Sequence, residues 1–229
     1  MLLNMKLLLL ALLFISVNVH GEQWFAPVQI QNRNDVRQLK LTEIGEYGIR
    51  RKARPGVPSH LHTGIDIKRP NNNYESEPVL PACPGKIISI RYDGPFAQII
   101  IEHNGLWTVY EHIADIKCRV GEAVDPQLPI ARFFNKNELD KYGWKFDHFH
   151  FEVMKANPIP VAHTKVHPDR FFNTYALLCY EESSLAERYF NPLDFIHRQQ
   201  NLDVKPGICN RTRNSSNNAG LFLPKKAQP

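Results

Sequence analysis

Two apolar runs joined across Asn104-Gly105 commit the middle of this chain to an antiparallel hairpin. Residues 97–102 (AQIIIE) form a near-continuous branched run, and residues 106–113 (LWTVYEHI) alternate and are rich in aromatic and branched side chains. Asn-Gly supplies the two positive-φ positions that a tight hairpin turn needs. Residues 85–92 (GKIISIRY) read as another strand, and residues 129–134 and 149–154 as two more. The 17 prolines suit short strands and turns better than a helical bundle. Helices are predicted only late in the chain, over residues 181–189 and 192–199. The expected fold is mainly β: a single antiparallel sheet or sandwich with a groove, short C-terminal helices, and a domain spanning residues 55–200.

The flanks read differently. Residues 1–21 carry Lys6, a short apolar run over residues 7–17, and small residues at Val19 and Gly21. That is the pattern of a secretory signal peptide, and the run falls short of the roughly 20 residues needed to span a bilayer. The expected location is therefore periplasmic or extracellular, without membrane insertion. Residues 22–54 form a weakly patterned lead-in, which could also be a pro-segment over the cleft. Residues 201–229 are expected to be a flexible basic tail. The net charge of +5 is concentrated there, in Lys205, Arg211, Arg213, Lys225 and Lys226, with no acidic residue over residues 205–229. The domain itself thus offers no basic face for nucleic acid. Four cysteines in an exported chain suggest two disulfides, with Cys83–Cys118 and Cys179–Cys209 the favoured pairing. Asn210 and Asn214 open two glycosylation sequons in the tail.

Two local patterns carry chemistry. In His62-Thr63-Gly64-Ile65-Asp66, residues four apart on a strand point to the same face, so His62 and Asp66 can converge on one ion. Gly64 leaves room between them. In His148-Phe149-His150 both imidazoles share a strand face. Two histidine nitrogens and a carboxylate oxygen make an open zinc site with a fourth position for water. Either pattern alone matches structural histidines equally well; the two together favour a metal centre.

The order of the motifs is more specific. The HTGID segment resembles the HxGxD motif of the lysostaphin/LytM-type zinc metallopeptidases, and residues 148–153 (HFHFEV) resemble their HxH strand. Between these, residues 81–87, the hairpin over residues 99–112, and residues 120–131 are similar to the family's intervening segments in the right order. The resemblance implies that His62, Asp66 and His150 hold Zn2+, that His148 is the catalytic base, and that His112 is a second catalytic histidine. It implies a metalloendopeptidase acting on peptide crosslinks of bacterial peptidoglycan, D-alanyl–diaminopimelate bonds or glycine bridges, and working as a monomer. A zinc ion makes a water acidic, a free histidine takes its proton, and a second histidine donor can stabilise the oxyanion.

Other histidines have quieter readings: His60 as a surface residue, His103 as a structural one at the hairpin, and His163, His167 and His197 as structural or solvated. Tyr74, Trp107 and Trp144 are expected in core or loop packing. Residues 155–190 are longer than the family pattern and could form a lid or a groove wall. Two other readings compete with the enzyme. A non-catalytic peptidoglycan-binding or regulatory protein on the same fold usually lacks part of the histidine set, which is complete here. A biotinyl-type carrier would need an attachment lysine in a hairpin, and none is evident.

Overall fold

The computed structural model describes residues 23–202; the expected signal peptide, the basic tail with its sequons, and Cys209 lie outside them. The strands in chain order are β1 (Arg50–Arg51), β2 (His60–Leu61), β3 (Ile65–Lys68), β4 (Pro78–Val79), β5 (Gly85–Arg91), β6 (Gln98–His103) and β7 (Leu106–Glu111). They continue with β8 (Ala123–Val124), β9 (Ala131–Arg132), β10 (His148–Met154), β11 (Ile159–Pro160), β12 (Phe172–Asn173) and β13 (Tyr189–Phe190). Three α-helices, α1 (Lys136–Tyr142), α2 (Glu182–Arg188) and α3 (Pro192–Leu202), complete the described fold. The protein is mainly β, as expected.

The principal sheet is antiparallel and runs β13-β10-β7-β6-β5-β8, with β3 also on β10. Strand β10 is its centre of function. One edge pairs with β7, while the other is shared by β3, opposite residues 148–151, and β13, opposite Val153 and Met154. The Asn104-Gly105 turn sits between β6 and β7 as predicted, with φ of 46° and 85° at its two residues.

Alternation along the strands sorts the two faces. Ile87, Ile99, Ile101, Tyr110, Phe149, Phe151 and Val153 point into the larger core. There they meet Trp24, Val28 and Val36 from the N-terminal segment and Phe195 and Ile196 from α3. Gln200 of α3 fastens that segment: its amide donates to the Trp24 and Arg33 carbonyls and accepts from the Val36 N–H. On the opposite face, Ile100, Val109 and Met154 join Leu61, Cys179, Leu185 and Tyr189 in a smaller cluster. Cys179, Leu185 and Tyr189 belong to the excursion over residues 155–190, which thereby covers one end of this face.

Three sequence expectations change. The Cys83–Cys118 bridge is not formed, and no disulfide joins any described residues. Both side chains instead fill the larger core as small apolar groups. His60 is buried rather than on the surface, its Nδ1 2.8 Å from the Pro58 carbonyl. Helix α1 lies well before the two late segments in which helices were expected. Its signal is a capping box in which the Asn135 side chain accepts from the Glu138 N–H and the Glu138 carboxylate accepts from the Asn135 N–H.

Candidate metal centre

The antiparallel register of β3 and β10 sets His150 directly opposite Asp66, so both side chains project from one face. His62 comes from just before β3. Its Nε2 lies 3.0 Å from Asp66 Oδ1 and 2.9 Å from His150 Nδ1, and His150 Nδ1 lies 3.0 Å from Asp66 Oδ1. Among the described residues these three side chains alone form a cluster able to hold a metal ion. A tetrahedral ion with bonds of about 2.0–2.1 Å spaces its ligands about 3.3 Å apart, so small rotations suffice to admit zinc.

Each ligand is gripped on its far side. His62 Nδ1 is 2.8 Å from the Glu46 carbonyl, which fixes the tautomer with Nδ1–H donating and Nε2 facing the centre. His150 Nε2 is 2.9 Å from Glu152 Oε1, leaving Nδ1 for the ion. Glu152 is fully buried and also accepts from the Thr63 hydroxyl at 2.5 Å. Its second oxygen has no hydrogen-bond partner among the described residues. Asp66 Oδ2 accepts from Arg51 at 2.5 Å, so Oδ1 alone faces the imidazoles. Gly64 is required by packing rather than by the ion. A Cβ there would lie 2.2 Å from the Phe151 carbonyl oxygen and 2.9 Å from the His150 ring.

The electrostatics follow from this burial. For His150, burial opposes a charge, but hydrogen bonds to Asp66 and Glu152 prevail and push its pKa up to about 10. The metal-free ring therefore holds its Nδ1 proton between two carboxylates, and an ion would replace that proton. Burial opposes ionisation of Asp66 too, yet the hydrogen bond from the charged His150 ring prevails and holds its carboxyl far below the usual carboxylate range. His62 is pushed down by burial, which favours the neutral ring that a ligand must be.

The two remaining histidines stand beside this triangle. His148 leads β10, two residues before His150, and its Nε2 is 3.7 Å from Asp66 Oδ1, beyond hydrogen-bonding distance. Burial pushes its pKa down to about 4, only partly offset by Asp66. Strict alternation would send residue 112 to the opposite face from Glu111, which lies across from His150. Instead His112 leaves β7 with φ of 64°, a sparsely populated backbone state for a non-glycine residue. Its ring centroid then lies 5.2 Å from that of His148. His112 Nδ1 is 2.5 Å from the Pro95 carbonyl, so the neutral ring presents Nε2 as a proton acceptor. Burial lowers its pKa, with Glu111 acting in the other direction.

All five residues singled out from the sequence thus converge. His103 is structural, as expected, with its nitrogens 2.7 Å from the Pro84 carbonyl and from Thr108 Oγ1. Of the aromatics, Trp107 packs against the smaller cluster, whereas Trp144 is half exposed with its ring edge-on to Tyr74. Sequence reasoning missed Glu152, Glu46 and Arg51. Glu152 was legible, since it follows His150 by two residues on a strand and so shares its face. No helix in the described residues is long and apolar enough to cross a membrane.

Solved structures that resemble the chain include cbpa from L. salivarius REN, 14% identical, covering 79% of this chain and 98% of that one with a TM-score of 0.48. The catalytic domain of the prophage-encoded M23 protein EnpA from Enterococcus faecalis is 21% identical, with 66% and 94% covered and a TM-score of 0.39. The antimicrobial peptidase lysostaphin from Staphylococcus simulans is 19% identical, with 77% and 57% covered and a TM-score of 0.41. No curated protein matches the chain. Residues 60–165 match the model of Peptidase family M23, and they contain all five converging residues. The part of the chain that is similar to peptidase family M23 is thus residues 60–165, a little under half of its length.

Proposed function

We propose that the protein is a zinc metalloendopeptidase that hydrolyses peptide crosslinks of bacterial peptidoglycan after export. The observation that carries this reading is the meeting of Asp66 Oδ1, His62 Nε2 and His150 Nδ1 within 3.0 Å of one another, inside the M23 match and beside two further imidazoles. Two imidazoles and one carboxylate are the donor set of an open catalytic zinc site. The choice of peptidoglycan rests on the ordered family resemblance.

When bound, zinc polarises the scissile carbonyl and makes the attacking water more acidic. The chain's own residues do the rest. His62, Asp66 and His150 hold the ion, each oriented by its partner on the far side. His148, kept neutral by burial, takes the water proton and passes it to the leaving amine. His112 is held by Pro95 in the tautomer that accepts at Nε2. It can therefore orient the water as an acceptor, and it becomes an oxyanion donor only once protonated. That is a narrower role than the neutral donor expected of a second catalytic histidine.

Digestion of purified peptidoglycan by the zinc-loaded protein, with products identified by mass, tests the reading. New peptide termini from the wild type and none from His148→Ala are expected. A wild type that binds zinc yet cuts no wall type would favour the non-catalytic binding protein instead.

A further inference from the structure

We infer that residues 40–51, which precede the family match, form the outer wall of the metal centre, and that Arg51 is a positioning residue that aims Asp66 at the ion. The inference rests on the zinc site proposed above.

Strand β3 has β10 on one edge. Its other edge, and the approach to it, are closed by this segment. The Lys68 N–H donates to the Lys40 carbonyl at 2.8 Å, and Leu41 bridges Ile67. Asp66 is bonded both ways: its carbonyl accepts from the Thr42 N–H at 3.0 Å, and its N–H donates to the Gly45 carbonyl at 2.9 Å. His62 is bonded both ways as well, accepting from the Gly48 N–H at 2.8 Å and donating to the Ile49 carbonyl at 2.9 Å. Beyond them β1 pairs with β2, which sets Arg51 opposite His60. Gly45 allows the close approach: a Cβ there would lie 2.8 Å from the Asp66 carbonyl oxygen. Two of the three ligand residues therefore have their backbones held by residues 40–51.

The same segment supplies the outer contacts of those ligands' side chains. Glu46 fixes the His62 tautomer through its carbonyl. Arg51, with its side chain only 16% exposed, occupies Asp66 Oδ2. A carboxylate with one oxygen on a guanidinium cannot turn both oxygens to the ion, so Asp66 is pre-set as a one-oxygen ligand. Arg51 is also a cation beside a cation site, which opposes metal binding. The positioning effect is expected to prevail, because outer partners of metal ligands typically contribute 10–100-fold in affinity. A cut before residue 55 would strip this wall away rather than uncover an active cleft.

The test is zinc affinity of the full chain, by competition with a chromophoric chelator, alongside apo-protein melting. Arg51→Met keeps the side-chain stem and removes the guanidinium, and it should raise the zinc Kd by about 10–100-fold. A residue that merely braced the fold would lower the apo Tm and leave Kd unchanged, and that result would overturn the inference, as would tighter binding. Should Arg51→Met not fold, Arg51→Lys decides: a Kd weakened about threefold or more supports the positioning role, and a wild-type Kd sinks it. A wild type that takes up no zinc, or a His62→Ala variant that binds zinc like the wild type, fails the zinc reading itself.

Discussion

The two halves of this site are built on opposite plans. In the ligand half, His62, Asp66 and His150 are each held from behind, by Glu46, Arg51 and Glu152 respectively. In the half proposed to be catalytic, His112 has one anchor at Pro95, and His148 stands 3.7 Å from Asp66 without a hydrogen bond to it. On the proposed roles, groups that must hold one geometry are fixed on both sides, whereas groups that must gain and lose a proton keep a nitrogen unengaged. The two plans sit on the same strand, two residues apart at His148 and His150. Strand alternation alone aims both rings at the site, and their neighbours decide which ring is fixed.

The largest expected effect comes from removing a ligand. His150→Ala should abolish zinc binding and turnover together, and metal analysis of the purified variant checks it. Next comes the catalytic half: His148→Ala and His112→Ala should each retain stoichiometric zinc while kcat/KM falls by about 10²–10⁴-fold. Loss of the metal from His148→Ala with its retention in His150→Ala would invert the division between the halves. A smaller effect sharpens the division. Glu152→Gln leaves an acceptor for His150 but removes the charge behind it, and should weaken zinc by about tenfold or somewhat more. If Glu152→Gln instead lowered turnover at saturating zinc with Kd unchanged, the grip on His150 would belong to catalysis and not to binding.

Much of this was written in local spacing. HFH carries strand parity on β10, and the Asn104-Gly105 turn fixes the hairpin between β6 and β7; HTGID named the right pair, but His62 lies before β3 and reaches Asp66 from outside the strand. The wall over residues 40–51 was not legible, because it pairs with β3 through scattered backbone bonds and an isolated bridge, and such a segment leaves no alternating pattern. Arg51 carries no local signal at all: its role depends on a partner that only the fold brings beside it. His112 was legible as a residue but not in its geometry, since the turn at φ of 64° overrides the parity that spacing predicts. Cys83 and Cys118 misled for a different reason. An even count in a chain expected to be exported points to bridges, whereas burial in the core is an equally good use of a small apolar side chain.

His103 provides the control for the comparison, because it is locked at both nitrogens like a ligand yet faces no ion. Burial pushes its pKa down to about 4 despite the opposing effects of the Pro84 carbonyl and Glu102. The folded chain thus keeps this ring neutral over a range in which the unfolded chain, with a pKa of about 6.5, takes up a proton. Its contribution to stability is complete above the unfolded pKa and is lost as pH falls from there toward the folded value. From this group alone the wild type should lose roughly 1 kcal/mol between pH 7 and about pH 5.5, and His103→Gln should lose correspondingly less over the same interval. Denaturant unfolding of the two metal-free proteins at both pH values measures the difference. Parallel losses in the two would mean that acid acts elsewhere, through the rings of the metal centre, and that locking an imidazole at both nitrogens is not what makes it sensitive to acid.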